Sequence, residues 1–290
     1  MKKKVAIFWA LHAIATPALA SESDSESQWR VGLSGGATLA GDVDDQTYAS
    51  AFITRNIDDG YVQLSATLVD AGNAQGLIFA VPASSQQLRL SGGIGLDEVS
   101  LDAYISVGRR KFDDELIGDD GNAIIVNSNG NVFGIGGSAT YDLAVGEHGF
   151  LSPSIAVDFN SVDIGRAAML ASGRLATVEE KEEGVSGTLS LTYTHLFGHD
   201  ANHGISPYVA LVASSNSTAF SPGSNVGGSR MAQLVAIRNQ PGQGDVWAEF
   251  GASASFAVTD QLRLSLFATQ SIGFVGPEAT SLGGGISLGF

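Results

Sequence analysis

Cysteine is absent from the 290 residues, so neither a disulfide framework nor a thiolate metal site can form. Positive charge is scarce too: 15 Lys and Arg stand against 30 Asp and Glu, a formal net charge of −15 that excludes a basic nucleic-acid-binding surface. Seven prolines are too few for a Pro-rich or collagen-like chain, and the 37 glycines follow no Gly-X-Y period. No apolar run reaches the roughly 18 residues that a membrane-crossing helix needs. What is present in quantity is apolar surface, 44% of residues, with only 16% charged. How that surface is distributed decides the fold class.

The N-terminus has the three parts of an export signal. Met1-Lys2-Lys3-Lys4 is cationic, Val5 to Thr16 is mostly apolar, and Ala18-Leu19-Ala20 is a small-x-small cleavage site. We expect residues 1–20 to be a cleaved signal peptide and 21–27 a short acidic segment, with 28–290 forming a single β-domain. Removing three lysines would leave 12 positive against 30 negative residues, a formal charge of −18, with Lys111 and Lys181 the only lysines.

Beyond residue 27 the recurring pattern is period-two alternation. Val246, Ala248, Phe250, Ala252, Ala254, Phe256 and Val258 share one face, with Trp247, Glu249, Gly251, Ser253, Ser255 and Ala257 on the other. Leu262, Leu264, Leu266 and Ala268 repeat the pattern, as do Val99, Leu101, Ala103, Ile105 and Val107. Strands are expected at 28–40, 46–57, 60–70, 86–96, 98–110, 130–144, 149–161, 184–197, 204–214, 245–258, 260–272 and 280–290. They exceed the five or six residues usual in soluble sheets and suit tilted membrane-spanning strands. Even-to-odd joints are tight: Asp58-Asp59, Asp97, 145–148, 198–203 and Thr259-Asp260. Odd-to-even joints are mostly long: 71–85, 111–129, 162–183, 215–244 and 273–279, with 41–45 the exception. Short turns on one rim and long loops on the other predict an all-β fold: a transmembrane antiparallel up-and-down β-barrel of about 12 strands in the bacterial outer membrane. A secreted soluble β-sandwich is the competing reading, but its polar face would carry bulky hydrophilic groups, whereas this one is crowded with Gly, Ser, Thr and Ala, as suits a confined lumen.

The last strand places Leu282, Gly284, Ile286, Leu288 and Phe290 on one face, a pattern that resembles the C-terminal signal read by the outer-membrane assembly machinery. Trp29, Trp247, Tyr193, Phe197, Phe150 and Tyr141 lie near strand ends and are expected in the interfacial aromatic girdles. Three stretches, 148–156, 184–193 and 205–211, resemble the middle strands of autotransporter β-domains. The final third is closer still: Trp247 to Phe256, Thr259-Asp260-Gln261-Leu262-Arg263-Leu264, and Leu282 to Phe290. The resemblance implies a twelve-stranded translocator barrel covering the whole chain after the signal. It departs from that family in having only Ser21 to Ser27 before the first strand, where members carry a passenger and a pore helix, so it supports fold and location more than self-secretion.

Strand parity selects the lumen residues. Arg30, Arg89, Arg110 and Arg263 share the polar face with Glu98, Asp102, Asp142, Asp158 and Glu249. Opposite charges in a narrow interior give either an ion-selective constriction or a structural network of salt bridges, the latter favoured. The histidines offer no catalytic set: His12 goes with the signal, His148, His199 and His203 fall in short turns, and His195 is on the apolar face, opposite in parity to Ser186 and Ser190. No catalytic residue, cofactor or defined metal site is expected. Asp119-Asp120-Gly121-Asn122 lacks the alternating ligands and distal Glu of an EF-hand, and Gly134-x-Gly136-Gly137 lies inside a strand, not at a strand-to-helix turn. The acids at 42, 44, 45, 113–115, 119, 120, 163, 179, 180, 182, 183 and 278 form an outer fringe suited to divalent cations bridging to lipopolysaccharide. The longest loop, 215–244, contains an apolar run from Met231 to Ile237, expected as a hairpin at the mouth. The expected function is a non-enzymatic, monomeric outer-membrane protein, a small channel or a structural surface protein, with outer-membrane lipid, lipopolysaccharide and the assembly machinery as its partners. The alternatives are an adhesin acting through loops 111–129, 162–183 and 215–244 and, less favoured, an outer-membrane hydrolase.

Overall fold

The computed structural model describes residues 28–40, 43–71, 83–112, 115–116, 123–124, 129–169, 175–198, 201–216, 244–273 and 279–290. The expected signal peptide, the acidic segment 21–27, the run Met231 to Ile237, and Asp42, Asp113, Asp114, Asp119, Asp120, His199 and Glu278 lie outside them. The strands are β1 (Trp29–Ala40), β2 (Val43–Ile57), β3 (Gly60–Ala71), β4 (Ala83–Leu96), β5 (Val99–Phe112), β6 (Glu115–Leu116), β7 (Ala123–Ile124) and β8 (Asn129–Tyr141). They continue as β9 (Leu143–Ala144), β10 (Gly149–Met169), β11 (Leu175–Phe197), β12 (His203–Ser214), β13 (Asp245–Ala257), β14 (Leu262–Gly273) and β15 (Ala279–Gly289).

Every long strand is hydrogen-bonded to its neighbours in sequence, and β1 pairs with β15, so the sheet closes into a twelve-stave antiparallel barrel with β8 and β9 sharing one stave. The pleat sends alternate residues outward and inward. Along β3, Val62, Leu64, Ala66 and Leu68 face out, while Tyr61, Gln63, Ser65 and Val69 are buried inside. Outward side chains such as Leu33 (61% exposed), Val209 (56%) and Leu266 (50%) recur on nearly every stave. A belt of that extent is far larger than the few hundred Å² of apolar patch a soluble monomer tolerates, so its solvent is lipid.

The short rim is made by tight turns. Asp58 at φ 43° and Asp97 at φ 55° take the left-handed conformation that reverses the chain, one of the few places where Asp is tolerated with positive φ. Glu98 completes the second turn, is exposed there and is not a lumen residue, because β5 starts at Val99 and the turn takes two residues. His203 belongs to β12 and accepts a bond at Nδ1 from the Ala257 backbone at 3.1 Å, so it is not part of a turn.

At the opposite rim the expected loop 162–183 is mostly strand. β10 and β11, 21 and 23 residues long, stay paired to Met169↔Leu175, whereas pairing of β10 with β8 ends at Val162 and that of β11 with β12 ends at Ser186. Seven further pairs, from Asp163↔Lys181 onward, thus form a two-stranded ribbon running about 24 Å beyond the last rung to β8 at ~3.4 Å per residue. Its base is clasped on both sides. The Asn131 backbone N–H donates to Asp163 Oδ2 at 2.8 Å, and Asn216 Nδ2 donates to Glu182 Oε2 at 2.8 Å. Glu179, Glu180, Glu182 and Glu183 therefore lie on a strand, as do Asp44 and Asp45 in β2 and Glu115 in β6.

Candidate functional site

The inward face is built on one repeated steric device. At six places where a strand offers a ring to the lumen, the residue paired beside it on a neighbouring strand is glycine: Tyr48 beside Gly36, Phe52 beside Gly32, Tyr61 beside Gly93, Tyr104 beside Gly136, Tyr208 beside Gly251 and Phe267 beside Gly283. A Cβ at Gly93 would stand 2.6 Å from Tyr61 Cε1, and one at Gly136 would stand 2.5 Å from Tyr104 Cε1. The ring lies flat across the bare backbone and reaches the strand beyond.

What it reaches is chemistry. Gly93 is paired with Asp102, and Tyr61 donates its hydroxyl to Asp102 Oδ1 at 2.7 Å. Gly136 is paired with Asp158, and Tyr104 donates to Asp158 Oδ1 at 2.9 Å. Two Tyr-Gly-Asp bridges thus run side by side across β3, β4, β5, β8 and β10. Arg89, 5% exposed, lies among them with its guanidinium carbon 3.8 Å from the centroid of the Tyr104 ring. Nε, Nη1 and Nη2 of Arg89 have no hydrogen-bond partner among the described residues. Asn160, fully buried, likewise has neither amide atom bonded. A salt-bridge network does not join Arg89 to Asp102 and Asp158: the tyrosines hold the two Oδ1 atoms, and the guanidinium rests on a ring face.

The opposite wall is more aromatic. Trp247, 1% exposed, packs on Val212 and donates Nε1 to Glu249 Oε1 at 2.8 Å, and Glu249 is itself 1% exposed. Trp247 is therefore a lumen residue and not part of an interfacial girdle, because it shares the parity of Glu249. Phe150 also turns inward, against Leu196, while Trp29, Tyr141, Tyr193 and Phe197 are exposed near strand ends. Tyr208 crosses Gly251 as the other rings cross theirs, but its hydroxyl meets Thr269 Oγ1 at 2.9 Å.

The remaining charged residues lie outside this cluster. Arg110 is buried at the loop end of β5. Arg263 is buried near the turn end of β14, its Nη1 3.5 Å from the Asn202 carbonyl, and Arg30 lies at the turn end of β1. Asp142, where β8 gives way to β9, accepts a hydrogen bond from Ser152 Oγ at 2.5 Å. Arg89, Asp102 and Asp158 are thus brought together, whereas Glu249, Arg30, Arg110, Asp142 and Arg263 are not. Tyr61, Tyr104 and Asn160 complete the cluster and were not singled out from sequence. Their only signal was an aromatic or amide on the small-residue face. On β15, Leu282, Ile286 and Leu288 are exposed on the outer face with Phe290 beyond them, and Gly284 has their parity. His195 is exposed on that same outer face, its ring 6.5 Å from that of Tyr193.

The sequence matches no family model and no curated protein. Among solved structures the chain is similar to the β-domain of the Bordetella autotransporter BrkA, with TM-score 0.60 and 14% identity over 92% of this chain and 100% of that one. It is similar to the translocator domain of the autotransporter NalP from Neisseria meningitidis, with TM-score 0.64 and 11% identity over 92% of this chain and 90% of that one. LpxR from Salmonella typhimurium has TM-score 0.51 and 8% identity over 89% of this chain and 100% of that one. At these identities the likeness is one of fold: the chain has the closed twelve-strand barrel of autotransporter translocator domains.

Proposed function

We propose that the protein is a non-enzymatic barrel of the bacterial outer membrane acting as a narrow, charge-lined conduit, exported by a signal peptide cleaved after Ala20 and working as a monomer. The observation that carries this reading is the cross-section itself. An apolar belt encloses a polar lumen that is narrowed by Arg89, Tyr104 and Asp158 on one wall and Trp247 and Glu249 on the other. The exposed alternating face of β15, ending in Phe290, is the contact for the assembly machinery, and the belt meets outer-membrane lipid and lipopolysaccharide. Single-channel recording in planar bilayers tests the conduit: discrete conductance steps are expected, and a barrel that inserts fully but never conducts overturns it.

A second reading, surface adhesion, is favoured by the β10–β11 ribbon, which stays paired for seven residue pairs beyond the last rung to β8. Trimming residues 164–180 to a short turn would abolish attachment to a host or cell surface and leave conductance intact. Unchanged attachment by the trimmed barrel removes this reading.

A further inference from the structure

From the unbonded groups in the lumen we infer that the protein holds a small oxyanion between Arg89 and Asn160. Register places four inward positions in one row: Arg89 beside Ser106, Ser106 beside Gly134, and Gly134 beside Asn160. Gly134 adds no side chain, and Ser106 Oγ and Asn160 Oδ1 each lie 2.7 Å from where a Cβ would stand. The Tyr104 ring edge lies 3.6 Å from that same point, and the ring face carries Arg89. Arg89 and Asn160 therefore flank one ring.

Both flanking groups are buried, and neither has a hydrogen-bond partner among the described residues. A buried guanidinium with no bonded N–H is among the costliest arrangements a fold can keep, and it calls for a missing acceptor. The chemistry of that acceptor follows from the donors. A planar fork of N–H groups matches two oxygens of a carboxylate or phosphate, and the Asn160 amide supplies a further donor to a third contact. Arg89 breaks no hydrogen bond in turning from the Tyr104 face to such a ligand. Asp102 and Asp158 each accept a tyrosine hydroxyl at Oδ1, and their charge near Arg89 keeps the anion weakly bound. Weak binding is what passage requires: strong enough to enter and loose enough to leave. The assignment deepens the conduit reading and rests on it for the anion's route to Arg89.

The test uses the full barrel in detergent micelles, with acetate and inorganic phosphate as probes and chloride at matched ionic strength as control. Either probe should raise the thermal unfolding midpoint saturably, by several degrees at about 100 times its Kd. A larger response to acetate points to carboxylate solutes and a larger response to phosphate to phosphorylated ones. Arg89→Gln should abolish the shift. Arg89→Lys, which keeps the charge without the fork, should weaken binding by about ten-fold, and Asn160→Ser should weaken it less. No shift in the native protein, or an undiminished shift in Arg89→Gln and Arg89→Lys, overturns the site. Conductance on the same preparation separates the two readings. Anion stabilisation without conductance sinks the conduit and leaves the site, whereas conductance with an anion response indifferent to Arg89 does the reverse.

Discussion

The two walls of the lumen use one steric device for different ends. On both, a ring lies across a glycine of the neighbouring strand. On the β3–β10 side the rings of Tyr61 and Tyr104 end on carboxylates, with a guanidinium stacked beside them. On the β12–β2 side Tyr208 ends on a threonine hydroxyl, while the rings of Phe52 and Phe267 carry no hydroxyl to donate. The glycine sets where a ring can lie. The residue one strand further on decides whether that ring only fills space or also carries charge across the sheet.

The strongest way to break this contrast is to remove the whole ring. Tyr104→Leu leaves Asp158 without its donor and Arg89 without its platform, so about 3–5 kcal/mol of stability should be lost, as for a buried charge stripped of its partner. Phe267→Leu on the other wall should cost only ~1 kcal/mol of packing and ring contact. Urea unfolding of the two variants in matched micelles measures both, and equal losses would show that the charges add nothing.

A finer probe keeps the ring and deletes the hydroxyl. Tyr61→Phe and Tyr104→Phe each lose a bond to a charged acceptor, worth roughly 1.5–3 kcal/mol, whereas Tyr208→Phe loses a neutral one worth about 1 kcal/mol. If Tyr208→Phe proves as costly as the other two, the walls are equivalent in energy as well as in shape. The smallest effect is expected outside the membrane, at Lys181 and Glu183 at the base of the ribbon, 2.6 Å apart and both well exposed. Pairing raises the Lys181 pKa and lowers that of Glu183. The Glu183 contribution is therefore present above the ordinary carboxylate range and fades as pH falls through its lowered value. The Lys181 contribution fades only as pH rises through its raised value. Solvent screening makes both slight, so Glu183→Gln should leave the unfolding midpoint unchanged at neutral pH. A clear drop would mean that the ribbon stiffens the barrel below it.

The staves were legible because each has lipid on one side and a crowded interior on the other, which imposes strict alternation from Val99 to Val107 or Val246 to Val258. The ribbon was not, for the same reason inverted. Past Val162 the paired strands leave the barrel, neither face is required to be apolar, and Asp163, Ile164 and Gly165 show no period. Trp247 was misplaced by weighting its residue type over its parity with Glu249, and a buried indole with a carboxylate for its N–H satisfies both. The lumen charges could be chosen from parity alone. Which of them meet could not, because the Tyr-Gly-Asp bridges depend on register across three strands, and a shift of β5 by two residues would give Tyr61 a different partner without altering any hydrophobic pattern.

The seam between β1 and β15 has a kinetic meaning. Arg30 lies opposite Gly289 and Ala40 opposite Ala279, so the final rungs join positions nearly the full chain apart. All other long-strand pairings connect neighbours in sequence and can zip locally, but this one bears the largest loop-closure entropy and must come last. Until it forms, the sheet has two open edges and an apolar flank, the combination most prone to pair with a stranger. The slow step of this protein's folding is therefore a single stitch, and whatever guards the chain in transit must hold those two edges apart from others until they find each other.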